Sequence, residues 1–194
     1  MQRHLFLTGS SGNDRSATII SALGAKLKYA GGYMTLGAKN EFGGMEGVDL
    51  MPAAAAADIS GLERARILSF ENGVLVHNNE VFREVGVRLL QEAQYYPFAV
   101  LDEFGGFDLI IPQFREALLE VLNSDLPCIG VMMSEDEGEN LRAVLGLGEK
   151  YTAFRRALKT ALENDADTFI LDVDSEDDDQ IIRTLQSWIS EYAV

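Results

Sequence analysis

Two glycines near the N-terminus are placed as a phosphate-binding loop would need them. Gly9 and Gly12 follow an apolar run at residues 5–7, and a helical pattern of apolar residues begins after them at Ser16. A strand that passes through a glycine loop into a helix can bind an anion through backbone N–H groups and the helix N-terminus. The residues expected to surround a phosphate are Gly9, Ser10, Ser11, Gly12, Asn13, Asp14, Arg15, Ser16 and Ala17.

The loop departs from the usual phosphate-loop pattern, G-x-x-x-x-G-K-[ST], at two positions. Gly9 and Ser16 match, but Asp14 replaces the second glycine and Arg15 replaces the lysine. Arginine carries a larger, planar and more diffuse charge than lysine. A carboxylate roughly 5 Å from a phosphate charge costs about 3 kcal/mol at an effective dielectric constant of about 20. The pattern therefore predicts a phosphate site that binds weakly.

A second group of polar residues follows a buried strand in the middle of the chain. The apolar run at residues 98–101 ends in Asp102 and Glu103. In nucleotide-hydrolysing sites an Asp at such a strand end holds Mg²⁺, directly or through water, and a neighbouring Glu can orient or deprotonate the attacking water. The alternative is a strand end that carries two solvated acids.

The order of elements predicts the fold class. Short, continuously apolar strands alternate with helices, which indicates a mostly parallel sheet covered on both faces, and 194 residues suit a single domain spanning 1–194. Ligands of such sheets bind at the carboxyl ends of the strands. Strands are predicted at residues 5–7, 33–35, 66–70, 74–77, 98–101, 127–132 and 168–171, with 66–70 and 74–77 as a hairpin.

Helices are predicted between these strands. The first covers 16–29 and is ended by Gly31-Gly32, and residues 37–61 are expected to form a mobile loop or a short helix. Asn79 is the expected N-cap of a helix that reaches residue 93. Further helices are expected around 114–122, over 140–163 with interruptions at Gly146 and Gly148, and over 181–192 with Ser175 as N-cap.

Charge and composition exclude several classes of protein. The net charge is −15, so a nucleic acid or an anionic membrane is unsuited as the main partner. No apolar stretch approaches the roughly 20 residues of a membrane span, and no signal peptide is visible, which predicts a cytoplasmic protein. The single cysteine, Cys128, stands in an apolar run and is expected to be buried and inert.

Other chemistry-bearing residues give weaker patterns. Arg64 and Arg66 could supply positive charge to a phosphate, although residues on a hairpin edge are usually solvated. His4 and His77 are far apart and have no cysteines nearby, so zinc has little support. The acidic run at residues 172–179 lacks the glycine and glutamate that a calcium loop requires, and suits the start of a helix better.

The segment 98–132 resembles the nucleoside-triphosphatase family of P-loop proteins, of the small thermostable type. The similarity covers most of residues 4–132 in the same order, including the segment 74–93. The matching residues are Gly32, Tyr33, Thr35, Asp102, Glu103, Phe104, Gly105, Asp108, Leu109, Phe114 and Pro127. Arginines that the family tends to carry near residues 36–41 are missing here.

The resemblance implies a three-layer, RecA-like α/β fold and Mg²⁺-dependent hydrolysis of ATP, GTP and other nucleoside triphosphates. By position, Ser16 and Asp102 would hold the metal and Glu103 would act on the water. Arg15 would occupy the place of the phosphate-binding lysine. Hydrolysis is expected to be slow because the phosphate loop is altered.

Two alternatives stay open. The chain could be a catalytically inactive relative that senses a nucleotide or acts through a protein partner, and Asp14 favours this reading. It could instead be a small-molecule phosphotransferase, because P-loop kinases use the same parts. Retention of Ser16, Asp102 and Glu103 favours the hydrolase.

Overall fold

The computed structural model describes residues 1–10, 14–39, 41–57, 65–71 and 73–193. Within these ranges the chain forms one sheet of eight strands. They are β1 (His4–Thr8), β2 (Ala30–Lys39), β3 (Met45–Pro52), β4 (Ala65–Glu71), β5 (Val74–His77), β6 (Phe98–Phe104), β7 (Cys128–Met132) and β8 (Thr168–Asp172).

The sheet combines a parallel and an antiparallel part. Its strand order is β5-β4-β3-β2-β6-β7-β1-β8 in the described part of the chain. Strands β2, β6, β7, β1 and β8 pair in parallel, whereas β2-β3, β3-β4 and β4-β5 pair antiparallel. The mostly parallel sheet and the β4–β5 hairpin are confirmed.

Helices connect the parallel strands. They are α1 (Arg15–Leu23), α2 (Asn79–Val81), α3 (Val87–Glu92), α4 (Pro112–Leu122), α5 (Glu135–Leu145), α6 (Glu149–Asn164) and α7 (Asp178–Tyr192), and a π-helical turn (Phe82–Gly86) joins α2 to α3. Short 3₁₀ turns occupy Gly24–Tyr29, Ala53–Ala57, Ala93–Tyr95 and Phe107–Ile110. Of the helices that the structure describes, none has the length and apolarity needed to cross a membrane.

Side chains on β1 show how the three layers form. Leu5 and Leu7 pack into a core with α1 and α7, which includes the fully buried Trp188. Phe6 points to the opposite face and joins a second core, which includes Phe114 of α4. Because successive side chains of a strand alternate between faces, a continuously apolar strand requires helices on both sides. This arrangement is the predicted three-layer α/β fold.

The strand order brings the glycine-loop residues and the Asp102-Glu103 pair together at the carboxyl ends of the parallel strands. Strand β7 lies between β1, which leads into Gly9, and β6, which carries Asp102 and Glu103. All three strands run in the same direction, so their carboxyl ends meet at this edge. Ser16 in the first turn of α1 reaches past the carboxyl end of β7 and contacts Asp102 of β6.

The N-terminal half differs from the sequence prediction in two ways. Helix α1 ends at Leu23, and the backbone N–H of Gly24 closes it on the carbonyl of Ile20, so Gly31-Gly32 does not end it. These two glycines instead belong to β2. A Cβ on Gly32 would lie 2.2 Å from the carbonyl oxygen of Val100 on β6, so only glycine fits this close strand contact.

The described part of the region 37–61, residues 37–39 and 41–57, contains more regular structure than predicted, and residues 40 and 58–61 lie outside the described residues. It completes β2, forms β3 and then enters the predicted short helical turn at the alanines. Strand β3 escaped prediction because Gly47, Asp49 and Pro52 interrupt any strand-like composition. Its buried residues, which include Asp49, Leu50 and Met51 in succession, are covered only once the strand pairs between β2 and β4.

Two predicted helix caps were wrong by one or two positions. The N-cap of α2 is Asn78, not Asn79, because the Asn78 side chain accepts a hydrogen bond from the N–H of Glu80. The N-cap of α7 is Asp177, not Ser175, and its carboxylate accepts from the N–H of Gln180. The interruption near Gly146 and Gly148 is confirmed, since α5 ends at the left-handed Gly146. Cys128 is buried as expected.

Candidate functional site

The Asp102 carboxylate is the centre of a buried hydrogen-bond network. Its Oδ1 accepts a 2.5 Å hydrogen bond from Oγ of Ser16 in the first turn of α1. Its Oδ2 accepts from both the N–H and the hydroxyl of Thr35 on β2, at 2.9 and 2.8 Å. Burial raises the pKa of Asp102, although these three donors and Arg15 oppose the shift. The network joins β6 to α1 and β2.

Glu103 follows in an unusual backbone conformation. Its φ is 55°, and it is the non-glycine residue with a positive φ among those described. Non-glycine residues rarely adopt this conformation, and it is often found at functional sites. Burial raises the pKa of Glu103 to about 7, and the nearby Asp102 charge adds to the shift while Arg15 opposes it. A carboxylate with a pKa near neutrality is suited to exchange a proton with water.

Arg15 is buried and turned toward protein groups. Its guanidinium donates to the carbonyl of Gly9 at 2.6 Å, to Oε1 of Glu137 at 2.6 Å and to Oε1 of Glu103 at 3.3 Å. Only 4% of the residue is exposed. Two carboxylates therefore compensate the cation that occupies the lysine position of the motif.

Glu137 was missed as a site residue by sequence reasoning. It forms a capping box with Ser134 at the start of α5, which lies before the helix predicted over residues 140–163. Burial alone raises the pKa of Glu137, but hydrogen bonds from Arg15 and Ser134 bring it below its ordinary value. The carboxylate thus stays ionised beside Arg15. Only the three-dimensional placement of α5 next to α1 reveals this contact.

A hydrogen bond to the start of α1 explains why residue 14 is an aspartate. It is the N-cap of α1, and its Oδ1 accepts a 2.8 Å hydrogen bond from the N–H of Ala17. Its φ is −77°, a value that any residue adopts. The position therefore does not demand glycine for its backbone, and the carboxylate uses an N–H at the helix start where an anion would otherwise bind.

A second carboxylate contacts the beginning of the glycine loop. Both oxygens of Asp174 accept hydrogen bonds from Ser10, at 2.6 Å from its N–H and 3.0 Å from its hydroxyl. The segment after β8 also packs closely on the loop, since a Cβ on Gly9 would lie 2.8 Å from Cγ2 of Val173. Asp174 was noted only as part of an acidic run, because its contact with Ser10 crosses 164 positions of sequence.

The structure thus brings together some of the predicted site residues. Gly9, Arg15, Ser16, Asp102 and Glu103 form one connected group, with Ser10, Asp14 and Ala17 at its border. Ser11, Gly12 and Asn13 lie outside the described residues.

The other candidates lie elsewhere. Arg66 pairs with Asp49 at 2.5 Å, and Arg64 lies outside the described residues. His4 is fully buried at the opposite end of β1. His77, the last residue of β5, forms a hydrogen bond with the side chain of Asn79. In the described part of the chain no group of three or more His, Cys, Asp or Glu residues could hold a metal ion.

The oxygen atoms near Asp102 nevertheless fit a Mg²⁺ ion that takes most of its ligands from substrate and water. Mg²⁺ prefers oxygen ligands and is usually bound by one or two protein groups together with waters and phosphate oxygens. The Ser16 hydroxyl and the Asp102 carboxylate are such oxygens, and they already lie in direct contact. Two donors of this type match a site that is completed by a bound nucleotide.

Strand β1 leads into Gly9, β6 carries Asp102 and Glu103 near its carboxyl end, and β7 lies between these two strands. This arrangement is that of a P-loop NTPase fold. A family model described as NTPase matches residues 4–155, and the chain therefore belongs to that family. A comparison with curated protein sequences found no match.

The crystal structure of THEP1 from the hyperthermophile Aquifex aeolicus has the same fold. It superposes with a TM-score of 0.62 over 95% of this chain and 97% of that chain, at 15% sequence identity. The similarity extends beyond residue 155 and so includes the C-terminal strand and helix.

Proposed function

We propose that this protein is a Mg²⁺-dependent nucleoside triphosphatase with slow turnover. The observation that carries the proposal is the direct contact between Ser16 and Asp102, with Glu103 as the next residue. This part of the site retains every side chain that the family resemblance assigns to the metal and the water. The substrate would be ATP or GTP.

The residues of this chain have separate tasks in the proposed reaction. Ser16 and Asp102 would hold the metal, which when bound supplies positive charge to the phosphate oxygens. Glu103 would orient the attacking water in line with the γ-phosphate and take its proton, for which a pKa of about 7 is suitable. The N–H groups at the start of α1 would bind phosphate oxygens.

Space for the nucleoside lies beside the loop. A cavity of about 270 Å³ separates the start of α1 from α7. Val173, Ile181 and Ile182 give it apolar walls, and Asp14 and Thr18 border it near the loop. A base could stack on such walls while its phosphates extend toward Ser16.

Slow turnover is expected because Arg15 must be released first. In the present arrangement its guanidinium pairs with Glu103, so the carboxylate that should act on water is engaged. Asp14 and Asp174 add negative charge where phosphate should bind. A triphosphate would have to displace contacts that the protein makes with itself.

These same contacts favour a second function, that of a catalytically inactive relative acting through a protein partner. Three carboxylates, those of Glu137, Glu103 and Asp174, already use the donors that a nucleotide would need. A small-molecule phosphotransferase stays a prediction.

Calorimetry distinguishes the two functions. We would titrate ATP and GTP, each with and without Mg²⁺, into the natural protein and into an Arg15→Lys/Asp14→Gly variant. Mg²⁺-dependent binding by the natural protein, with phosphate release that Glu103→Gln abolishes, would support the hydrolase. Binding by the variant alone would show a nucleotide fold that has lost its function and would favour the inactive relative. Absence of binding in both proteins would reject the nucleotide site.

A further inference from the structure

A second arginine, Arg155 of α6, binds the segment that carries Glu103. Its Nη1 donates a 2.6 Å hydrogen bond to the carbonyl of Gly105, two residues after Glu103. Its Nη2 donates to the carbonyl of Ser134 at 2.7 Å and to that of Met133 at 3.4 Å. One guanidinium group therefore joins the carboxyl end of β6 to the start of α5.

The end of β6 is a place where the backbone needs such support. Glu103 has a φ of 55° and Gly105 a φ of 90°, so the chain departs there from the extended conformation of the strand. A positive φ at a non-glycine residue persists only where the surrounding contacts hold it. The N–H of Met133 on the β7 side donates to the carbonyl of Phe104 at 2.9 Å, and the bond from Arg155 to Gly105 follows directly after it.

The guanidinium group of Arg155 is itself closely held. It lies against Gly138 of α5, where a Cβ would be 2.0 Å from its central carbon. Its Nη1 also donates to the hydroxyl of Tyr151, one turn earlier on α6, at 3.4 Å. A cation fixed on three sides binds its carbonyls at a small further loss of side-chain entropy.

The two arginines use different kinds of acceptor. Arg15 donates to the carboxylates of Glu103 and Glu137, whereas the acceptors of Arg155 are carbonyl and hydroxyl oxygens. A phosphate that draws Arg15 away would break its bonds to both carboxylates. The bonds from Arg155 to Gly105 and Ser134 do not involve Arg15, and they would remain.

We propose that Arg155 is a positioning residue, which keeps Glu103 beside the start of α5 when Arg15 turns toward a nucleotide. It acts through the backbone of Gly105 and Ser134 and does not touch the substrate. The consequence for turnover rests on the proposed hydrolysis. The contact itself can be tested without a nucleotide.

Amide hydrogen exchange of the nucleotide-free protein, followed by NMR, tests the contact. Arg155→Ala should speed exchange of the Met133 N–H about tenfold or more, because local opening of its bond to Phe104 becomes easier. The N–H of Val173, which donates to the carbonyl of Thr8 at 2.9 Å, should change less than about twofold. Equal acceleration of the two amides would indicate a loss of global stability alone and overturn the proposal, as would an unchanged Met133.

Two further variants separate the guanidinium geometry from its charge. Arg156→Ala removes the same charge from the next residue, which is exposed, and should leave Met133 exchange unchanged. Arg155→Lys keeps the charge, but one ammonium group does not replace two nitrogens that bind separate carbonyls, so about a fivefold acceleration should remain. Wild-type exchange in Arg155→Lys would show that charge suffices and overturn the proposal. This variant also decides the question if Arg155→Ala does not fold.

Steady-state phosphate release tests the consequence for turnover. In the Arg15→Lys/Asp14→Gly background, Arg155→Lys should lower kcat about tenfold and leave KM within about twofold, since Glu103 acts in the chemical step. An unchanged kcat, or a change confined to KM, would reject the positioning role. Selective exchange of Met133 without any phosphate release would support the contact and reject the hydrolase.

Discussion

Arg15 and Glu137 form a 2.6 Å ion pair between the first turns of α1 and α5, and the arginine also reaches Glu103. The pair joins the helix after the glycine loop to the helix after β7. It places a compensated cation where the family motif has a phosphate-binding lysine. The Arg15 side chain therefore both stabilises the fold and occupies the place where a phosphate would bind.

Removal of this cation should destabilise the protein. Arg15→Met would leave Glu137 and Glu103 close together, with side chains 18% and 29% exposed. Breaking a fully buried pair costs about 3–5 kcal/mol, so partial exposure predicts a loss of about 2 kcal/mol in the free energy of unfolding. Urea unfolding would measure it.

A matched surface variant serves as control for this prediction. Arg83 pairs with Glu80 on an exposed helix surface, and Arg83→Met should cost less than about 1 kcal/mol. Similar losses in the two variants would show that the Arg15 contacts contribute no more than a surface ion pair.

The charge of Asp174 should weaken anion binding at the glycine loop. Asp174→Asn keeps the shape of the side chain and removes the negative charge that lies beside the N–H of Ser10. We expect about a tenfold gain in ATP affinity at low ionic strength and a smaller gain at high salt. Glu176→Gln, an equal charge change in the same acidic run, should have less effect. A gain of the same size in both variants would indicate net charge as the cause.

The cap of α1 predicts losses of stability of different size for two substitutions of Asp14. Asp14→Ala removes the acceptor for the N–H of Ala17 and should cost about 1 kcal/mol in stability. Asp14→Gly should cost only a few tenths of a kcal/mol, because glycine leaves the N–H groups open to water. Thermal unfolding of the two variants would test this order. A larger loss for glycine than for alanine would contradict it.

Glu103 should make stability fall as pH rises. Its pKa is about 7 in the folded protein and near its ordinary value of 4.5 in the unfolded chain. Between these values the folded state binds more protons, so the unfolding free energy decreases from pH 4.5 to about 7. Glu103→Gln should reduce this slope, and the part that remains comes from groups such as Asp108, whose pKa burial raises to about 6.

Denaturant titrations at half-unit pH intervals would measure the slope in both proteins. Glu137 does not interfere in this window, because its pKa is lowered and its contribution is lost only as the medium becomes more acidic than its ordinary pKa. An unchanged slope in Glu103→Gln would mean that this carboxyl group titrates normally.

Gly138 should be intolerant of any side chain. A Cβ there would lie 2.0 Å from the guanidinium carbon of Arg155, whose Nη atoms donate to the carbonyls of Gly105 and Ser134. Gly138→Ala should cost about 2 kcal/mol or more, since these hydrogen bonds must move. Gly148→Ala, with open space around it, should cost much less. In an Arg155→Ala background, Gly138→Ala should lower the free energy of unfolding by less. Additive losses in this double-mutant cycle would contradict the contact.

A shared metal site for Ser16 and Asp102 was implied by the family resemblance. Local sequence patterns predicted the strands that lead into the site and the polar residues at their carboxyl ends. They did so because apolar strands, a glycine loop and acids at a strand end are each encoded within a few residues. The partners of Arg15 could not be predicted in the same way. Glu137 lies 122 positions away, and only the packing of α5 against α1 selects it from among neighbouring acids.

The single thiol of the chain also has a practical consequence. Cys128 is fully buried in β7, and burial raises the pKa of its sulfhydryl further, so it should not react with maleimides in the native state. A cysteine introduced at exposed Val144 would then be the only site of labelling. A fluorophore attached there would test whether α5 moves in solution, and no native cysteine would have to be removed first.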